Sequence, residues 1–157
     1  MSRRRQANRR PVVEDAVYHS TLVTRLVNTV MKCGKKSIAQ RIVHSTFNRI
    51  AEKNPNLNPM EVLQRAMDNA KPRLEVKARR VGGATYQVPI EASGDRGLSL
   101  ALRWVVDFAD NRKGMPMNEA LAAEIMDAYQ GQGNAIRKRD DVHKMAQANK
   151  AFAHFRW

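Results

Sequence analysis

The chain has 157 residues, with 28 Lys and Arg against 15 Asp and Glu, a formal net charge of +13 and a hydrophobic content of 43%. The length fits one domain with appendages, the apolar fraction is enough for a core, and no run approaches the ~20 apolar residues of a membrane span. The Arg-rich start lacks the apolar run of a secretory signal, and a lone cysteine, Cys33, permits neither an internal disulfide nor a Cys-based zinc site. The expectation is a soluble, intracellular, cationic domain in a reducing compartment, and the obvious polyanion inside a cell is nucleic acid.

Residues 1–13 hold five arginines (Arg3, Arg4, Arg5, Arg9, Arg10) and no acid, show no apolar period and are interrupted by Pro11. They read as a flexible basic arm that orders on its partner. Residues 14–157 read as a single helical domain. From Ser20, Leu22, Val23, Leu26, Val27, Val30 and Met31 recur at helical steps, and Gly34 supplies a stop. A second helix is predicted from about Ser37 to Lys53, with Ile38, Ile42, Val43, Phe47 and Ile50 on its apolar side. The third has the clearest start: Asn58 caps, Pro59 suits the first position, and Glu61 has capping-box spacing. Leu57 and Val62 can staple that entry, Val62, Leu63, Ala66, Met67 and Ala70 form the stripe, and Pro72 ends it.

The period then drops to two. Leu74, Val76 and Ala78 alternate with Arg73, Glu75, Lys77 and Arg79; Tyr86, Val88 and Ile90 alternate with Thr85, Gln87 and Pro89. Gly82-Gly83 between them supplies the positive φ angles of a tight turn, so a β-hairpin is predicted at about 73–90. Two strands alone are marginally stable, so the base must pack on helices while the tip projects, up to ~20 Å at the rise of a strand. Pro89 confines its strand to an edge or bulge. Leu98, Ala101, Leu102, Val105, Phe108 and Ala109 define a fourth helix, with Arg96 and Arg103 off its stripe. A fifth starts near Pro116, with Leu121, Ile125, Ala128 and Tyr129 apolar, and stops at Gly131 or Gly133. A sixth runs from about Asn134 to Asn149, with Ile136, Val142, Met145 and Ala146 inward. The predicted fold is mainly α: a six-helix domain with one protruding β-hairpin inserted between the third and fourth helices.

The charge is clustered. Beyond the arm, residues 71–80 hold Lys71, Arg73, Lys77, Arg79 and Arg80 against Glu75, and 137–157 hold six basic residues and two acids. Residues 114–136 contain no Lys or Arg but carry Glu119, Glu124 and Asp127. A single charge run reads as a solvated surface; separated clusters of mutually repelling cations point to a polyanion partner, with the cation-free stretch facing solvent or protein neighbours. Lys77, Arg79 and Arg80, near the hairpin tip, suit phosphate contact, the bland alternative being protection of a strand edge. Gly34-Lys35-Lys36-Ser37 fails as a phosphate-binding P-loop, because Thr29 stands where the first Gly is needed and Lys36 where Ser or Thr is needed. What remains is two lysines at a helix N-terminus, a place that favours phosphate.

Catalytic signals are missing. His19, His44, His143 and His154 have no metal-ligand spacing, Asp140-Asp141 reads as surface charge, and the eight Met residues read as core filler. No nucleophile–base spacing stands out, so neither catalysis nor a cofactor is expected. An RNA-recognition-motif signature is absent, and no helix has the Asn, Gln and Arg cluster of a base-reading helix-turn-helix. The ending Phe152-Ala153-His154-Phe155-Arg156-Trp157 suits either stacking on bases or docking on the helical core.

Several stretches, in order, resemble a known family: Arg3-Arg4-Arg5, Gly34-Lys35-Lys36, Val76-Lys77-Ala78-Arg79-Arg80-Val81-Gly82-Gly83 through Thr85-Tyr86-Gln87-Val88-Pro89-Ile90, Ala101-Leu102-Arg103-Trp104, and Lys138-Arg139-Asp140-Asp141-Val142-His143-Lys144 through Trp157. They are similar to the bacterial-type family of the seventh protein of the small ribosomal subunit. The resemblance implies a helical domain with a protruding hairpin that binds the 3-prime major domain of small-subunit rRNA and organises assembly of the subunit head. It implies a hairpin beside the exit-site tRNA and the mRNA exit path, near the eleventh small-subunit protein, and no homo-oligomer. The location implied is the ribosome, in cytoplasm or organelle. RNA contact would fall to Arg3, Arg4, Arg5, Lys35, Lys36, Lys77, Arg79, Arg80, Arg96, Arg103, Lys113 and Met117, with Arg9 and Arg10 of the arm beside them. Some relatives repress translation of their own operon. The chain departs from the pattern at Asp107 and Asp110, and matches loosely over 112–118. Two rivals are a regulator whose ligand is an mRNA or DNA, and an RNA-processing enzyme, which needs converging acids or a metal site facing the basic surface.

Overall fold

Ser20 opens the first helix: its hydroxyl accepts from the Leu22 N–H at 3.2 Å. α1 (Thr21–Val30) follows in this computed structural model, which describes residues 11–155. Its buried Val23, Leu26, Val27 and Val30 are the stripe read from the sequence. The chain reverses through Cys33 and Gly34, both left-handed at φ 53° and 73°, where glycine relieves the second position of Cβ strain.

α2 (Lys36–Lys53) buries Ala39, Val43, Thr46, Phe47 and Ile50. Ile38, expected inside, is 47% exposed. The buried positions advance by three and four from Ala39, so Ile38, one residue earlier, lies roughly 100° around the helix and points outward. α3 (Pro59–Ala70) starts at the expected cap: the Asn58 side chain accepts from the Met60 N–H at 3.0 Å and Pro59 occupies the first turn, while Glu61, placed at capping-box spacing, makes no return bond to the Asn58 N–H among the described residues. Val62 is fully buried, and Leu57 packs against the core from outside the helix.

β1 (Leu74–Val81) and β2 (Ala84–Glu91) form an antiparallel hairpin, with Leu74 opposite Glu91 and Val81 opposite Ala84. Gly82 and Gly83 close it at φ 59° and 91°, the double positive φ of a type I′ turn. With two strands every position is an edge, so Pro89, opposite Val76, removes no bond that a third strand would need.

α4 (Gly94–Asp110) buries Ala101, Leu102, Val105, Val106 and Ala109. α5 (Met117–Tyr129) packs against α2, α3 and α4 and is buried around much of its girth, through Ala120, Leu121, Ala122, Ile125 and Ala128. Its alanines let three neighbours approach closely. α6 (Asn134–Ala148) enters the main cluster with Ala135 and Ile136, then leaves it. Val142 and Ala146 are still buried, on a narrow stripe beside the hairpin, so Met145, expected inside, is 47% exposed. A short 3-10 helix, Lys150–Phe155, ends the described residues.

Glu124 shows how the cation-free stretch is used. It is fully buried, accepts from the Ala135 N–H at 3.0 Å and is paired with Arg112, which also reaches Asp127. An ionised group that deep requires such partners. This acid is therefore an internal fixture joining α5 to the start of α6, and not part of an outward acidic face.

Candidate nucleic-acid interface

Alternation along β1 puts Glu75, Lys77 and Arg79 on one side of the strand, opposite Ile90, Val88 and Tyr86. Val88 and Pro89 are buried with Glu75, so the hairpin is rooted in the body as far as that level. Glu75 is only 8% exposed. Its Oε2 accepts from Nε and Nη2 of Arg96, on α4, at 3.2 and 3.1 Å, and its Oε1 faces the Lys77 ammonium at 3.2 Å. Burial pushes the Glu75 carboxyl up, but the hydrogen bonds and charges of Arg96 and Lys77 outweigh it and hold the group below the usual carboxylate range. Both cations stay about half exposed, at 45% and 49%. The next residue of the row, Arg79, has a shielded Nε with no hydrogen-bond partner among the described residues. Arg80 is exposed next to the turn formed by Gly82 and Gly83.

Two other elements hold the hairpin. The Arg73 N–H donates to Nε2 of His143, on α6, at 3.0 Å. Tyr86 meets Phe152 and Phe155 of the 3-10 helix at ring centroid distances of 5.1 and 5.2 Å. Of the two places expected for these aromatics, bases or helical core, the second is corrected: within the protein they dock on the hairpin. The reason is that the half-buried Tyr86 ring on β2 offers these rings an apolar aromatic face beside the short helix. Trp157 lies outside the described residues.

A second basic region lies on the helices. Lys35 precedes α2 and Lys36 begins it, and both are exposed. Lys35 and Met117, the first residue of α5, line one groove of about 310 Å³ with Ile38, Ile42, Val106 and Lys32. Lys113 is exposed on the loop between α4 and α5. Arg103 is exposed on α4, seven residues after Arg96 and so on the same side, ~10 Å along the axis. It lines an open groove with Arg25 and Asn28 of α1 and with Pro11 and Val12, which places the root of the N-terminal segment beside Arg103. Arg3, Arg4, Arg5, Arg9 and Arg10 lie outside the described residues.

Ion pairs frame this region. Arg25 meets Asp95 at 3.0 Å and Lys32 meets Asp110 at 2.8 Å, tying α1 and the turn after it to the two ends of α4. Asp110 thus answers a neighbouring lysine, which raises the Lys32 ammonium above its ordinary value through their hydrogen bond. The segment entering α1 is pinned by Asp15, which is buried and accepts from the Val17 and Tyr18 N–H groups at 3.0 and 3.1 Å and from His44 at 3.2 Å. Burial pushes its carboxyl up, yet these bonds hold it below the ordinary value.

Sequence reading missed Arg25 and Lys32, which are single cations off an apolar stripe, and it counted Glu75 only as one charge subtracted from a basic run. The visible signal for Glu75 was its place in register with Lys77 and Arg79. Among the described residues no three His, Cys, Asp or Glu groups are placed to hold a metal ion, and no helix is long and apolar enough to cross a membrane.

Residues 2–150 match the family described as Ribosomal protein S7p/S5e. The chain is similar to proteins named small ribosomal subunit protein uS7: 55% identical to that of Akkermansia muciniphila, 57% to that of Dictyoglomus turgidum and 55% to that of Mycolicibacterium gilvum, each over 157 residues and 100% of both chains. With the match running from the basic start through the hairpin to the end of α6, the chain belongs to the Ribosomal protein S7p/S5e family.

Proposed function

We propose that this protein is a structural, non-catalytic component of the small ribosomal subunit that binds the 3-prime major domain of the subunit's rRNA and organises assembly of its head. Relatives named small ribosomal subunit proteins, matched over the full chain, support the ribosomal role. The observation that carries RNA binding is the meeting of Lys77 and Arg96, from a strand and a helix, at one buried carboxylate while both remain about half exposed. Surface cations that serve only solubility need no such fixture.

In this reading the N-terminal arm of residues 1–13 and the helical domain of residues 14–157 contact one RNA. Arg103 and the arm root contact backbone phosphates from the groove between α1 and α4. Lys35, Lys36, Lys113 and Met117 contact RNA at the start of α2 and α5. The hairpin tip lies beside the exit-site tRNA and the mRNA exit path, near the eleventh small-subunit protein. The protein acts as one copy in the ribosome.

The test is co-sedimentation with the small subunit through a high-salt wash. Retention is expected, because a folded interface of many contacts outlasts the electrostatic component of binding. Release into the supernatant as the salt rises, at the rate shown by a generic polycation, contradicts the reading.

A further inference from the structure

We infer that Glu75 is the positioning residue of this interface: a buried carboxylate that sets Lys77 and Arg96 side by side as a two-pronged grip on one stretch of RNA backbone. The inference rests on the RNA-binding reading above and names how its central cations are organised.

Glu75 is an unlikely choice on stability grounds alone. Its neighbours at the hairpin root include buried Val88 and Pro89, and half-buried Val76 and Ile90. An apolar side chain there would bury surface without the desolvation of a charge, and buried ion pairs replaced by apolar groups commonly leave stability unchanged or raise it. What the carboxylate supplies is direction. Arg96 spends its Nε–H and one Nη2–H on Oε2, and Lys77 points its ammonium at Oε1. The remaining donors of both groups are left on the solvent side, where phosphate oxygens can accept them. Lys and Arg carry large rotamer freedom, so fixing both before the ligand arrives removes part of the ordering cost of binding. The negative charge between them also relieves the repulsion that two adjacent cations would otherwise have.

A separate observation points to the same face. Arg79 stands two residues beyond Lys77, ~7 Å along the strand, and its shielded Nε has no partner among the described residues. Its guanidinium continues the row of Lys77 and Arg96 toward the hairpin tip, along the path an RNA backbone held by those two cations would follow.

The experiment compares full-length wild type with Glu75→Gln and Glu75→Asp for binding to a fragment of the rRNA 3-prime major domain and to a random RNA duplex, at one fixed salt. Simple electrostatics gives Glu75→Gln one more net positive charge and tighter binding to every nucleic acid. Positioning gives the opposite sign for the specific RNA: about a tenfold loss, with duplex affinity unchanged or higher. Glu75→Asp keeps the charge but shortens the reach, and loses specific affinity in the same direction; it carries the test if the Gln variant does not fold. Equal or tighter binding of the rRNA fragment by a folded variant overturns the role of Glu75. In a Lys77→Ala/Arg96→Ala background the Gln substitution has no further effect, and a persisting loss overturns it too. If wild type itself shows no preference for the rRNA fragment, the rRNA reading fails; a preference that Glu75→Gln retains in full defeats only the positioning role.

Discussion

Nε2 of His143 accepts the backbone N–H of Arg73 at 3.0 Å and thereby ties the first strand of the hairpin to α6. Only the unprotonated nitrogen can accept. Burial lowers the His143 imidazole below its ordinary value, Arg139 and Arg73 lower it further, and Asp140 opposes them. The folded state therefore favours neutral His143. Its contribution is present above the ordinary histidine value of about 6.5 and is lost as pH falls through the lower folded value, where the unfolded chain binds the proton first. Amide-exchange protection at Arg73, corrected for intrinsic rate, should fall as pH drops below about 6.5 while protection in α3 and α5 holds. His143→Gln, which keeps a carbonyl acceptor, should abolish the pH step. A pH step that survives in His143→Gln contradicts this assignment.

The rings of Phe152 and Phe155 against Tyr86 make the 3-10 helix a prop for the outer hairpin. Replacing both phenylalanines by Ala should remove roughly 0.5–1.5 kcal/mol per ring pair beyond the lost apolar burial. The loss should appear as faster amide exchange in residues 77–87, with the buried α5 unaffected. Uniform destabilisation of the whole chain would show that these rings belong to the core.

Arg112→Ala strands Glu124, fully buried, with a single hydrogen bond from the Ala135 N–H among the bonds now seen. An uncompensated buried charge costs about 3–5 kcal/mol, so the midpoint of chemical denaturation should fall sharply. Glu124→Gln keeps an acceptor for Ala135 and carries no charge, so it should be milder. A weaker effect from Arg112→Ala than from Glu124→Gln would mean that the carboxylate does not depend on its arginine.

Exposed Lys77 and Arg80 and half-buried Arg79 lie on the outer half of the hairpin, and each phosphate contact contributes about 0.9 to the slope of log affinity against log salt. Lys77→Ala/Arg79→Ala/Arg80→Ala should flatten that slope by roughly two to three with the helical body still folded, since the buried Glu75 keeps its pair with Arg96. An unchanged slope would remove these three residues from the interface.

Much of the fold is visible in local chemistry. Ser20 and the Asn58-Pro59 pair mark helix starts because capping depends on residues a few positions away. Gly82-Gly83 and the alternation around it define the hairpin and its register for the same reason. The errors come from tertiary placement. Ile38 and Met145 are apolar and near the right phase, but how wide a stripe a helix buries depends on its neighbours. Phe152 and Phe155 find Tyr86 across a separation of more than sixty residues that no periodicity encodes. The candidate site was legible as a list of cations, chiefly through the family resemblance. Its organisation was not, because Glu75 and Glu124 look like ordinary acids until burial and distant arginines give them opposite tasks, one at the surface grip and one inside.

The most direct test of the central claim is competition between a 3-prime major domain rRNA fragment and random duplex DNA for the full-length protein at one salt concentration. Specific nucleic-acid binders exceed their non-specific affinity by about 1,000-fold or more, and the account predicts at least that preference for the rRNA. Equal affinity for the two would contradict it.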